Sequence, residues 1–275
     1  MVQRNENLKG ENASVKKFVW QNLSMKSEIE ISECASVEEL TECVALQREV
    51  FALPEIEISP VRHLIVTRQA GGFTLGAFAA GKLAGFVLSV AAFVGNEKFF
   101  YSHMTAVKKD FQSSGIGAQL KWAQRARALE QGVNYIKWTF QPVQARNAFF
   151  NLEKLGAIVR RYEPNFYGTD YSTSQNQTKQ VGLDSDRLFA EWRLDSEKVE
   201  RLARGEQFFE ADESAREIKI PSDWNLLVKE NPEGAVAEQQ RVKEEFQAAF
   251  ADQLIGRRFV RSETNPKYLL YENKI

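Results

Sequence analysis

The chain has 275 residues, 43% hydrophobic and 27% charged, a composition that supplies ample material for a globular core. Its formal net charge of −1 gives no electrostatic reason to expect nucleic acid or an acidic membrane as partner. The two cysteines, Cys34 and Cys43, are too few for a disulfide framework, and His63 and His103 are the only histidines, so no metal site is expected.

Residues 1–27 are polar and rich in Asn and Lys, with one apolar cluster at Phe18-Val19-Trp20, and read as a flexible leader whose cluster docks on the body. No apolar run approaches a membrane span and this stretch has no apolar signal core, so the expectation is a cytoplasmic protein with buried thiols. Glu28 to Ile31 alternates as a strand. Ser36-Val37-Glu38-Glu39 is a capping box, and Val37, Leu40, Val44 and Phe51 share one helical face behind it. Ser59-Pro60 starts a second helix that Gly71-Gly72 ends. Phe73 to Ala79 and Leu83 to Val94 predict a hairpin around Ala80-Gly81-Lys82.

Phe99 to Val107 is rich in aromatic and β-branched residues and predicts a further strand. Gln112-Ser113-Ser114-Gly115-Ile116-Gly117 follows, and Ile116, Leu120, Ala123 and Ala126 then recur at helical spacing up to Gly132. A strand, a small polar Gly-rich turn and a helix make an anion site, because glycine lets backbone N–H groups approach closely and the helix N-terminus offers free donors. Gly117 is followed by Ala118-Gln119, so the Gly-Lys-Ser/Thr of a mononucleotide loop is missing, as is the third glycine of a dinucleotide loop. Val133 to Phe140 predicts a strand. After Pro142 a short helix ends at Gly156, and Ala157 to Tyr162 and Arg187 to Leu194 are strands flanking a long loop, Pro164 to Asp186.

The spacing Gln-x-x-Gly-x-Gly behind a strand resembles the pyrophosphate loop of the GNAT (GCN5-related N-acetyltransferase) superfamily. The run Asn147-Ala148-Phe149-Phe150-Asn151-Leu152-Glu153-Lys154-Leu155-Gly156 is similar to the helix after that family's fifth strand. The element order β-α-α-β-β-β-α-β-α-β-β is also that of the family. Ser102-His103-Met104, Leu120-Lys121-x-x-Gln124-Arg125 and Trp138-Thr139-Phe140-x-Pro142 look like an uncharacterised acetyltransferase-like group within it. The resemblance implies an α/β, GNAT-type mixed and mostly antiparallel sheet flanked by helices over residues 28–195. Residues 196–275 are then a small α+β extension that docks on this domain or builds a homodimer contact.

The resemblance further implies acetyl-CoA as acyl donor and the amine of a small molecule as acceptor. Thr105, Ala106 and Val107 would hold the pantetheine as a pseudo-strand and supply an oxyanion donor. Gln112, Ser113, Ser114, Gly115, Ile116, Gly117 and Ala118 would hold the pyrophosphate, and Asn147 would contact the cofactor from the next helix. An alkyl amine with a pKa near ~10 needs a base. His103 is the candidate, its alternative being a packed sheet histidine. Leu152 stands where many family members carry a Tyr that protonates the leaving thiolate, so Tyr167 or Tyr171 from the long loop, or water, must serve. Trp138, Phe140 and Tyr171 are candidate acceptor contacts, with core packing as the alternative for the two strand residues, and Arg160, Arg161 and Arg187 are candidate carboxylate holders. A catalytically silent acyl-CoA-binding module is the competing function.

Overall fold

The computed structural model describes residues 18–20, 29–51, 53–168 and 182–274. Strand β1 (Phe18–Trp20) pairs with β2 (Ile29–Glu33) and is followed by helices α1 (Val37–Phe51) and α2 (Val61–Gln69). Strands β3 (Phe73–Ala79), β4 (Lys82–Val94) and β5 (Glu97–Val107) form an antiparallel meander with β2. Helix α3 (Ile116–Glu130) crosses to β6 (Tyr135–Phe140), which lies parallel to β5. Helix α4 (Ala145–Phe149) runs into a π-helical turn, Phe150–Lys154, before the antiparallel strands β7 (Ile158–Glu163) and β8 (Arg187–Arg193).

The capping box forms as its sequence dictates. Glu39 N–H donates to Ser36 Oγ at 3.1 Å, and the Glu39 carboxylate accepts from the Ser36 and Ala35 N–H groups. Helices α1 and α2 pack Leu40, Val44, Leu46 and Leu64 on one sheet face against Phe86, Leu88 and Ala106. On the other face Ile116, Leu120 and Ala123 of α3 join Leu152 and Trp192 in a larger core. The two-layer burial is why β3 and β4 read as long apolar runs rather than alternating ones.

The C-terminal residues do not form a layer apart. Helix α5 (Glu197–Ala203) leads to β9 (Arg216–Lys219), α6 (Trp224–Glu230), α7 (Pro232–Ala251), β10 (Leu254–Val260) and β11 (Lys267–Glu272). Strands β10, β11 and β9 extend the sheet beyond β7, giving the order β1-β2-β3-β4-β5-β6-β8-β7-β10-β11-β9 among the described residues. Phe246 of α7 packs between Tyr162 of β7 and Tyr268 of β11, and Tyr268 Oη donates to the Pro142 carbonyl at 2.7 Å. Arg258 meets Glu153 at 2.9 Å, and the same carboxylate accepts the Phe259 N–H at 2.7 Å.

The junction of β10 with β7 is tight at Gly256, where an added Cβ would lie 2.6 Å from Val159 Cγ2. Gly256→Ala is therefore expected to destabilise the protein by about 1–3 kcal/mol, as overpacking of a filled core does, measured by urea unfolding. An unchanged midpoint would mean that the extension is not clamped to β7 at this residue.

Candidate acyl-transfer site

Strands β5 and β6 pair only at Phe100 with Ile136 and at Tyr101 with Lys137, then part. From Ser102 onward the β6-facing edge of β5 carries no ladder partner among the described residues, while its other edge stays bound to β4 through Thr105, Ala106 and Val107. An edge of this kind, running beside Thr105 to Val107, is free to pair with an extended ligand chain.

The loop after β5 turns sharply. Ser113 at φ 65° and Gly115 at φ 91° adopt left-handed backbone conformations, and Gly115 caps α3. Ser114 Oγ donates to the Phe111 carbonyl, and Gln112 Nε2 donates to the Val107 carbonyl at 3.2 Å. The first backbone N–H groups of α3, at Ile116, Gly117 and Ala118, have no partner within the helix and point out of its N-terminus. A Cβ on Gly117 would meet only Val107 Cγ2, at 4.0 Å, so space lies in front of this turn. Asn147 is exposed at the start of α4, and the neighbouring Arg146 donates to Ser113 Oγ at 3.4 Å. Arg146 brings a guanidinium to the loop that the sequence reading missed; its only signal there was adjacency to Asn147.

His103 lies in a β-bulge. Leu88 faces Met104 and Ser89 faces Ser102, which leaves His103 as the extra residue of β5. The bulge turns its ring toward α2, where the His63 ring stands edge-to-face at a centroid distance of 6.3 Å. Desolvation by its neighbours, and then the charge of His63, lower the His103 pKa below the ordinary histidine value, although the residue keeps an exposed surface. At neutral pH this imidazole is a proton acceptor.

On β6, alternation decides which residues face the cleft. Trp138 and Phe140 are buried in the core on the α3 side, the packing alternative considered for these two strand residues. Trp138 Nε1 donates to Asn151 Oδ1 at 3.2 Å, and the Lys121 ammonium lies 3.7 Å from the Trp138 ring centre. Thr139, between them, faces the other way, and its hydroxyl lies 3.3 Å from Tyr167 Oη. The buried Tyr101 hydroxyl adjoins the same pair, with burial and the neighbouring Tyr167 raising its pKa. Tyr101 and Thr139 are neighbours of Tyr167 that the sequence did not single out. Tyr171 lies outside the described residues. Arg160 and Arg161 are paired with Glu191 at 2.8 Å and Glu163 at 2.6 Å, and Arg187 stacks over Tyr167 at 5.3 Å.

Behind the point where β5 and β6 part, Lys121 donates to Ser102 Oγ at 3.0 Å and to Gln124 Oε1 at 2.8 Å, and Gln124 donates to Ser89 Oγ at 2.7 Å. Burial drives the Lys121 pKa well below the usual lysine range. Leu152 is wholly buried in the π-helical turn and offers nothing to a proton transfer. Among the described residues, no three or more His, Cys, Asp or Glu side chains converge as metal ligands would. No helix among them is long and apolar enough to cross a membrane.

Part of the chain is similar to known proteins. The model of the Acetyltransferase (GNAT) family matches residues 37–157. A protein of Acinetobacter baylyi ADP1 described as a putative acetyltransferase superposes with a TM-score of 0.50 at 17% identity, covering 62% of this chain and 96% of its own. The ribosomal-protein-S18-alanine N-acetyltransferase of Escherichia coli gives a TM-score of 0.47 at 17% identity, covering 61% and 95%. A GNAT family acetyltransferase of Elizabethkingia anophelis with acetyl-CoA bound gives 0.46 at 15%, covering 60% and 98%. No curated protein matches the sequence significantly. The splayed β5–β6 pair, the capped loop before α3 and the family match lead to one assignment, made for the matched segment: residues 37–157 are a domain of the GNAT acetyltransferase family.

Proposed function

We propose that the protein is an acyl-CoA-dependent N-acetyltransferase that moves an acetyl group from acetyl-CoA to the amine of a small molecule by direct attack. The observation that supports this reading is the succession of three features along β5 and behind it: His103 in the bulge, the edge of β5 left unpaired where β6 parts from it, and the tight turn at Gln112 to Ala118 before α3. The turn and Arg146 suit a pyrophosphate, and Asn147 stands beside them. The edge from Thr105 to Val107 suits the amide-bearing pantetheine arm. Backbone N–H donors near the bulge suit a carbonyl oxygen that gains charge, a contact whose removal typically costs about 3 kcal/mol.

His103 takes the role of base toward the ammonium of the acceptor. With Leu152 buried, the departing thiolate is protonated from Tyr167, whose hydroxyl adjoins Thr139 on the cleft-facing side of β6. A thiol has a pKa of about 8.5, so its thiolate leaves with little help. Tyr167→Phe is accordingly expected to lower kcat by only about tenfold, with acetyl-CoA affinity retained. A loss of affinity in place of turnover would assign Tyr167 to binding.

The buried Leu152 favours a second reading, a silent acyl-CoA-binding module that uses the same cleft for sensing. Thiol release from acetyl-CoA across a panel of small amines and amino acids separates the two. Release dependent on an amine supports the transferase; binding of acetyl-CoA without release for any amine supports the module. A cytoplasmic setting fits the free thiols of Cys34 and Cys43, which lie buried with their sulfurs 3.8 Å apart.

A further inference from the structure

The buried face of α3 carries Ile116, Leu120, Ala123 and Ala128, and among them two polar side chains, Lys121 and Gln124. Lys121 is 3% exposed and Gln124 is wholly buried, and neither has a part in the acyl transfer itself. Burying an amine in a core costs free energy that a methionine of similar length would not. A residue that breaks the local rule in this way is expected where the fold serves a site.

The contacts of Lys121 are specific. The last rungs of the β5–β6 ladder are Phe100 with Ile136 and Tyr101 with Lys137, so the next rung would join Ser102 to Trp138. Lys121 engages both members of that missing rung. Its Nζ donates to Ser102 Oγ at 3.0 Å and lies 3.7 Å from the centre of the Trp138 ring. Trp138 is held in turn by Asn151, whose Oδ1 accepts from the indole at 3.2 Å. Lys121 also donates to Gln124 Oε1 at 2.8 Å, and Gln124 donates to Ser89 Oγ at 2.7 Å. Ser89 and Ser102 face each other on β4 and β5, in the pair immediately before the bulge that sets His103 outside the ladder. Through these bonds one side chain of α3 is tied to β4, β5 and β6 where the sheet opens.

We propose that Lys121 is a positioning residue: from behind the sheet it fixes where β5 and β6 part and how the His103 bulge sits, and so shapes the cleft that receives the thioester of acetyl-CoA. The proposal rests on the acetyl-transfer reading. Lys121 acts through Ser102 and takes no proton or acyl group itself. Without the tether, the strands are free to close or shift at Ser102 and Trp138, and either movement displaces the open edge of β5 and the His103 ring. A misplacement of about 1 Å at a reacting centre costs on the order of 10²-fold in rate.

A double-mutant cycle in the full chain tests this. Lys121→Met keeps the length of the side chain and removes the tether, and Ser102→Ala removes the hydroxyl through which the tether acts. Lys121→Met is expected to lower kcat by about 100-fold and to weaken acetyl-CoA binding about tenfold, with Ser102→Ala moving both in the same direction by less. K121M/S102A should lose no more than K121M alone, because the two changes break one contact. A merely structural role would lower the urea midpoint and leave the kcat of the folded variants in place. A kcat for K121M within about threefold of wild type, or losses that multiply in the double variant, overturns the proposal. Should K121M fail to fold, S102A decides: a lowered kcat supports the proposal and an unchanged one overturns it. Wild-type protein that binds acetyl-CoA without turnover for any amine overturns the transferase reading alone, and the same cycle is then read in affinity. Wild-type protein that binds no acetyl-CoA overturns both.

Discussion

His103→Ala is expected to lower kcat by about 10²–10⁴-fold while leaving the affinity for acetyl-CoA unchanged, the range that a positioned general base commonly contributes. The expectation follows from the bulge. A regular β5 would send residue 103 to the face opposite 102 and 104 and hold it in the ladder. The extra residue instead frees the side chain and turns it toward α2 and the mouth of the cleft. The lowered pKa keeps the ring neutral at the pH where an alkyl amine is protonated, so the base is present when the proton needs removing. Steady-state kinetics with a saturating amine, beside calorimetric titration of acetyl-CoA, checks both halves. Loss of affinity with unchanged kcat would make His103 a packing residue, the reading that the sequence left open.

Gly117→Glu is expected to abolish acetyl-CoA binding, by at least ~100-fold or about 2.8 kcal/mol, without unfolding the protein. A Cβ at this position meets only Val107 Cγ2 at 4.0 Å, so the fold accepts the side chain. The carboxylate then stands at the N-terminus of α3, in the place where the backbone donors would meet a pyrophosphate, and like charge repels like. The check is thermal unfolding with and without ligand. A ligand at a hundred times its dissociation constant stabilises the wild type by about 2.7 kcal/mol, whereas the variant should show the same midpoint with and without it. A ligand shift retained in the variant would place the pyrophosphate elsewhere.

Much of this architecture is legible in the sequence because its signals are local. The capping box at Ser36 to Glu39, the Ser-Ser-Gly turn before α3 and the alternation of the early strands each act over a few residues, and the structure has helices and strands in those places. What pairs at long range is not written so plainly. Strand β1 has only three residues, and it exists through its ladder with β2. Strands β9, β10 and β11 read as an extension that docks on the domain or builds a dimer contact, because nothing local announces that Gly256 fits against Val159.

The site divides along the same line. Residues 112–118 were legible as a tight turn into a helix because glycine and small polar residues carry that meaning beside a strand and a helix. Which face of β6 meets the cleft was not, since alternation gives two sets and the sheet chooses between them. The sheet buries Trp138 and Phe140 and turns Thr139 toward Tyr167. His63 was invisible as a partner of His103 for a related reason: α2 and β5 meet only in the folded chain.

Titration calorimetry of acetyl-CoA into the full chain, with ATP titrated in parallel, tests the central claim most directly. One site for acetyl-CoA and none for ATP is the predicted result, because the turn before α3 lacks the lysine a nucleotide triphosphate loop uses and opens onto the free edge of β5. Binding of ATP with no heat from acetyl-CoA would contradict it.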